Sequence, residues 1–192
     1  MSETIVARFN MKTKMYHTNW SLVRKMYALK KLIRGITIIK RSRLSEKQVL
    51  QNSKKIQNVL EEQHQWKRTK SVNIYESSFK EVSTHELIHD TLKTKEVHYP
   101  EEFIIENELV DLIIIPGVVF DEKCGRCGRG SGYYDKWLKE IKDKDVTTIA
   151  LAHDLQILPH GYELNNDEWD VPMNMIITEK RVITPKGMMF HG

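Results

Sequence analysis

The spacing of hydrophobic residues changes along this chain, and each change marks an element. Over residues 22–39 the apolar positions Val23, Met26, Tyr27, Leu29, Ile33 and Ile36 recur at helical spacing, with cations on the other side. The basic run Lys40 to Arg43 ends that helix, and Ser45-x-x-Gln48 has the form of a capping box opening the next. This second helix is expected to reach residue 62, with Val49, Ile56, Val59 and Leu60 turned inward. Apolar residues then fall into short runs. Strands are expected over 72–76, 96–99, 109–115, 146–152 and 175–177, and helices over 84–92 and 133–142. The run Leu112 to Ile115 is apolar at every position and closed by Pro116-Gly117, as a buried central strand would be. Strands alternating with helices predict an α/β fold: a three-layer sandwich with a mostly parallel or mixed central sheet and helices on both faces. Ligands of such sheets lie beyond the carboxyl ends of the strands.

The loop after that central strand carries the most chemistry. Gly125, Gly128, Gly130 and Gly132 are interleaved with Arg126 and Arg129, and Tyr133, Tyr134, Asp135 and Trp137 open a helix directly afterwards. Glycines let backbone N–H groups approach an anion, a helix start adds partial positive charge, and arginine supplies forked donors. A carboxylate just beyond, Asp135, is placed for a magnesium ion that bridges phosphates. The spacing is neither G-x-x-x-x-G-K-[ST] nor G-x-G-x-x-G. A glycine turn that merely joins strand to helix is the alternative, although a plain connector has no need of the arginines and paired tyrosines.

These residues carry a resemblance. From Asp111 to Asp135 the chain resembles the signature of the 5-formyltetrahydrofolate cyclo-ligase family. Asp111, Pro116, Gly117, Phe120, Asp121, Gly125, Arg126, Gly128, Gly130, Gly132, Tyr133, Tyr134 and Asp135 are in register, and Cys127 stands where the family usually has leucine. Lys30 and Arg34 resemble the family's early K-x-x-x-R, Glu81-Val-Ser-Thr its E-[IV]-x-T, and the stretches Ala150 to Gln156 and Asp170 to Glu179 its closing elements. The alternatives are solvated charges on a basic helix for the first pair and a helix-start carboxylate for Glu81. Two departures stand out. Trp169 and Asn174 replace the family's histidine and second aspartate, and the segment from Glu101 to Val110 is far shorter than the family's.

What the resemblance implies is an ATP-dependent ligase that cyclises 5-formyltetrahydrofolate to 5,10-methenyltetrahydrofolate, with ATP and Mg2+ required. Lys30, Arg34, Gly128, Arg129, Gly130, Ser131, Gly132, Tyr133 and Tyr134 would then meet ATP. Arg126 and Tyr134 would be catalytic, Glu81 would hold the reduced folate, and Asp135 the metal. The shortened segment motivates a second reading, a relative that binds nucleotide or folate without turnover.

Composition limits the rest. The chain has 192 residues, 40% hydrophobic and 29% charged, which suits one domain with a proper core. Residues 1–22 lack periodicity and set Arg8, Lys12 and Lys14 against Glu3, so they are expected as a disordered or targeting extension ahead of a single domain over 23–192. The expected location is cytoplasmic, or mitochondrial if the extension is a targeting segment, and the expected state is a monomer. No apolar run is long enough to span a membrane. A net charge of +4 is mild, so nucleic-acid binding by the basic N-terminal third ranks below a solvated helix face. Cys124 and Cys127 lack the further ligands a zinc site needs and are read as incidental thiols, with redox or metal roles as alternatives.

Overall fold

A strand with all four side chains buried must be covered on both faces, and β3 (Leu112–Ile115) is such a strand. It lies between β1 (Ser71–Ile74) and β6 (Thr147–Leu151) and parallel to both. The computed structural model, which describes residues 20–100, 110–164 and 171–191, sets these strands in a seven-stranded sheet. Its order is β2-β1-β3-β6-β7-β8-β9, with β2 (Glu96–His98) and β7 (Met175–Ile177) continuing the parallel run. An antiparallel pair, β8 (Arg181–Thr184) and β9 (Gly187–Phe190), closes one edge.

The strand pleat sorts the core into two layers. Leu112 and Ile114 face Ile56 and Leu60 of α2 (Glu46–Glu62), Trp66 of α3 (His64–Arg68) and Leu87 of α4 (His85–Thr91). Ile113 and Ile115 face the other way, onto Phe120 and onto Trp137, Leu138 and Ile141 of α5 (Tyr133–Ile141). Truncating any of these buried side chains to alanine would cost about 2–5 kcal/mol. The three-layer, mostly parallel arrangement expected from the pattern is the one observed. So is the capping box of α2: Ser45 Oγ accepts from the Gln48 N–H, and Gln48 Oε1 accepts from the Ser45 N–H at 2.8 Å.

Helix α1 (Trp20–Ser42) starts two residues before the expected boundary, so it takes in the end of the supposed extension. It packs across the 3-10 turn Asp154–Gln156 and a two-stranded ribbon formed by β4 (Val119–Phe120) and β5 (Arg126–Cys127). Ile33 packs there against the buried cluster of Val118, Val119, Cys127 and Leu164. The pattern did not announce this ribbon, α3, or the β8–β9 hairpin. Residues 101–109 and 165–170, and with them Leu109 and Trp169, lie outside the described residues.

Several signature residues prove to build this scaffold. Asp111 Oδ2 accepts from the N–H groups of Lys70 (2.9 Å) and Ser71 (3.2 Å), pinning the amino ends of β1 and β3 together. Buried Asp121 takes three backbone N–H groups, those of Lys123, Gly125 and Leu164, and so closes the turn from which the Gly/Arg loop emerges. Gly117 admits the ring of Phe120, because a Cβ there would lie 2.3 Å from its Cζ. Asn174 Oδ1 accepts from the N–H and hydroxyl of Thr148, at the amino end of β6 and away from the carboxyl edge of the sheet.

Candidate active site

Parallel strands bring the loops after β1 and β3 to one edge of the sheet, and a cleft of about 670 Å³ opens between them. Its floor is the Pro116-Gly117 turn, one wall is the Gly/Arg loop running into α5, and the other carries Tyr75, Ser78 and Glu81. Gly130 (φ 103°) and Gly132 (φ 72°) hold the loop in left-handed backbone that a side chain would strain. Gly132 opens α5 without a side-chain cap of its own; the Tyr133 N–H donates to Ser131 Oγ at 3.4 Å, and the first turn of the helix lines the cleft.

Two arginines of this loop each hold one acidic residue of the cleft. Arg126 has a side chain only 3% exposed; its Nη1 donates to the Pro116 carbonyl at 3.1 Å and its Nη2 to Asp135 Oδ1 at 2.5 Å. The guanidinium lies over the Tyr134 ring as a cation–π contact, 5.5 Å from its centroid. Gly128 makes room for it, since a Cβ there would come within 2.9 Å of Nη1. Its Nε is buried and finds no hydrogen-bond partner among the described residues. Arg129 is mostly exposed and donates from Nη2 to Glu81 Oε1 at 2.8 Å and to the Ser78 hydroxyl. Glu81 Oε2 accepts from the Ser78 N–H and hydroxyl, both at 3.0 Å.

Tyr133 and Tyr134 meet edge to face at 5.2 Å, and the Tyr133 hydroxyl donates to the Pro100 carbonyl at 2.6 Å. Burial, reinforced by Tyr133, pushes the Tyr134 hydroxyl above its ordinary value, so it stays protonated near neutral pH.

Nearly all the expected site residues therefore share one cleft: Glu81, Arg126, Gly128 to Tyr134, and Asp135. Lys30 and Arg34 stand outside its lining. Arg34 lies against the back of the loop, with Nε donating to Cys127 Sγ at 3.1 Å and Nη1 close to Gly130. Asp135 is half-buried and is a single carboxylate; among the described residues no group of three acidic, histidine or cysteine side chains could hold a metal by itself. One carboxylate nevertheless fits Mg2+ if nucleotide phosphates supply the other oxygens, which is how that ion is commonly bound.

The two thiols are buried in different clusters, Cys124 beside Phe120 and Cys127 beside Val118. Burial, aided by Asp121, pushes the Cys124 thiol up to about 12, which makes it unreactive.

Three residues that the sequence reading gave no site role lie against the cleft. They are Ser78, Arg41 behind Glu81, and Gln156, whose Nε2 donates to the Gly117 carbonyl at 2.9 Å. Fully buried His153, facing Asn52 through Nδ1, lies nearby. Burial, opposed only in part by the Lys80 backbone, pushes His153 down to about 4. Unfolded histidine titrates near 6.5, so between those values the folded state binds fewer protons than the unfolded one. Stability should fall as pH drops through that window, by up to about 1.4 kcal/mol per pH unit. Urea melts at pH 7 and pH 5 should show the wild type losing about 2 kcal/mol more than His153→Asn; equal losses would remove His153 as the cause.

Three comparisons bear on what this arrangement is. Residues 100–179 match the model of the 5-formyltetrahydrofolate cyclo-ligase family. The 5-formyltetrahydrofolate cyclo-ligase of Escherichia coli K12 is 31% identical over 97 residues, which is 50% of this chain and 52% of that protein. The Mus musculus protein of the same name is 36% identical over 91 residues, 43% of each chain. The chain thus spans about half the length, or less, of these curated relatives. Among solved structures, the Aquifex aeolicus 5,10-methenyltetrahydrofolate synthetase superposes with a TM-score of 0.68 at 28% identity, covering 85% of this chain and 96% of that one. The Mycoplasma pneumoniae 5,10-methenyltetrahydrofolate synthetase has the same fold, with a TM-score of 0.65 at 22% identity over 79% of this chain and 99% of that one.

Proposed function

The chain belongs to the 5-formyltetrahydrofolate cyclo-ligase family, and on that premise we propose that it converts 5-formyltetrahydrofolate and ATP to 5,10-methenyltetrahydrofolate, ADP and phosphate. The observation that carries this reading is the meeting of Arg126, Arg129, Glu81 and Asp135 in one cleft beside the first turn of α5.

In this reaction the formyl oxygen attacks the γ-phosphoryl group and ADP leaves. The folate N10 then adds to the activated carbon, the five-membered ring closes, and phosphate departs with the former formyl oxygen. No covalent bond to the protein is needed, so the chain contributes position and charge. Arg126, Arg129 and the N–H groups of Gly128 to Tyr134 receive the phosphates, with Arg34 backing the loop and Lys30 as a further phosphate contact. Tyr134, held protonated, donates to an oxygen of the transferring group. Glu81 accepts from the N–H donors at the pterin end. Asp135 would hold Mg2+, which neutralises phosphate charge when bound.

Absorbance at the methenyltetrahydrofolate band tests the proposal: a rise that needs ATP, Mg2+ and 5-formyltetrahydrofolate together supports it. Absence of that rise in folded, ATP-binding protein would favour the second reading, a nucleotide- or folate-binding relative, which rests on the short Glu101 to Val110 segment. Asn174 adds little to that reading, because its side chain serves the β6–β7 joint. Glu81→Ala should raise the folate KM about ten- to a hundred-fold, the worth of one hydrogen bond to a charged acceptor, with a smaller change in kcat. An unchanged folate KM would remove Glu81 from the substrate site. The proposed location is the cytoplasm, or the mitochondrion if residues 1–22 act as a targeting segment.

A further inference from the structure

Arg41, in the last turn of α1, is 5% exposed and does not line the cleft. Its Nη1 lies 3.8 Å from Glu81 Oε1 and donates to the Gly117 carbonyl at 3.5 Å. It thus joins three separate parts of the site: the end of α1, the loop after β1, and the turn after β3. Burial lowers the pKa of its guanidinium, which the nearby Glu81 charge opposes. A desolvated cation is a costly choice for a joint that two apolar side chains could make.

The two cations on Glu81 differ in their freedom. Arg129 has a side chain 58% exposed and belongs to the loop that meets phosphate, whereas the Arg41 side chain is 6% exposed. Both contact Oε1, while Ser78 occupies Oε2. Drawing Arg129 onto a nucleotide phosphate would leave the largely buried Glu81 carboxylate with Arg41 as its remaining cation among these contacts. At 3.8 Å in a partly desolvated setting that attraction is substantial.

We propose that Arg41 is a positioning residue for the folate end of the cleft: it holds the Glu81 carboxylate from behind while Arg129 is engaged by ATP. The inference rests on Glu81 being the folate-binding carboxylate. Arg41 acts through Glu81 and through the Gly117 carbonyl that it shares with Gln156, without touching substrate.

Arg41→Met and Arg41→Lys test it. For Arg41→Met the folate KM should rise about ten-fold or more, with the ATP KM and kcat changed far less. Lysine should recover most of the loss, since it restores the charge if not the fork. Folate binding measured directly should weaken more in the presence of a non-hydrolysable ATP analogue than in its absence, because only then is Arg129 withdrawn; a purely structural role would weaken both alike. If the methionine variant does not fold, Arg41→Lys and Arg41→Gln are compared in the same way. Equal weakening of both substrates, or unchanged folate binding in Arg41→Met while Glu81→Ala still weakens it, would overturn the proposal. Unchanged folate binding in both variants would instead remove Glu81, and the reading on which the proposal rests.

Discussion

Replacing Arg126 with lysine is expected to lower kcat by about two to three orders of magnitude while the protein stays folded. The expectation comes from the way the guanidinium is used. One nitrogen is fixed to the Pro116 carbonyl and another to Asp135, and the cation lies over the Tyr134 ring. This side chain is therefore oriented before any ligand arrives and needs no reorganisation during the reaction. Lysine keeps the charge but has neither the plane nor the fork, so it cannot satisfy Pro116 and Asp135 while presenting a donor to the cleft. Loss of a preorganised donor to a transferring phosphoryl group should appear in kcat and kcat/KM alike, with a smaller rise in the ATP KM. Asp135 is partly open to solvent, so the stability lost with the ion pair should be modest. A lysine variant within about three-fold of wild-type kcat would make Arg126 a scaffold residue and nothing more.

Much of this architecture is written locally. Helix α2 announces itself through its capping box and inward Val49, Ile56 and Leu60. The central strand does so through four consecutive apolar residues, which only a strand covered on both faces tolerates. The β8–β9 hairpin was hidden because Arg181-Val-Ile-Thr and Gly187-Met-Met-Phe are short and end at a polar edge with weak alternation. Two-residue strands such as β4 and β5 are below what any period can signal.

The site divides in the same way. The Gly/Arg loop and Asp135 are contiguous, so the family signature exposes them together. The pairing of Arg129 with Glu81 spans 48 positions, and that of Arg41 with the Gly117 carbonyl spans 76. Such contacts exist only once parallel strands gather their carboxyl ends. Within the basic run Lys40 to Arg43 nothing distinguishes Arg41 from its neighbours, because burial is set by tertiary packing. Cys127, where the family usually has leucine, acquires a reason only in the fold, where its sulfur accepts from Arg34.

Asp135→Ala is expected to reduce turnover by at least about a hundred-fold, and its value lies in separating two ways that could happen. The carboxylate already holds Arg126 at 2.5 Å, so it could act through that arginine alone. It also lines the cleft and is the acidic residue of α5's first turn, where a cation shared with phosphates would sit. Asparagine in its place keeps an acceptor for Arg126 but removes the charge that a divalent ion requires. If Asp135 holds Mg2+, Asp135→Asn should need about ten-fold or more Mg2+ for half-maximal rate. If it only orients Arg126, the Mg2+ dependence should match the wild type, and Asp135→Asn should recover most of the activity lost in Asp135→Ala. The Arg126→Lys, Asp135→Asn double variant adds a further constraint. Two residues acting solely as one ion pair should show strong non-additivity, the double variant being little worse than the poorer single. A metal role independent of the pair should instead leave the Mg2+ requirement raised in the double variant and normal in Arg126→Lys alone. Normal Mg2+ dependence across all these variants would strip Asp135 of its metal assignment and leave the phosphates to bind the ion without it.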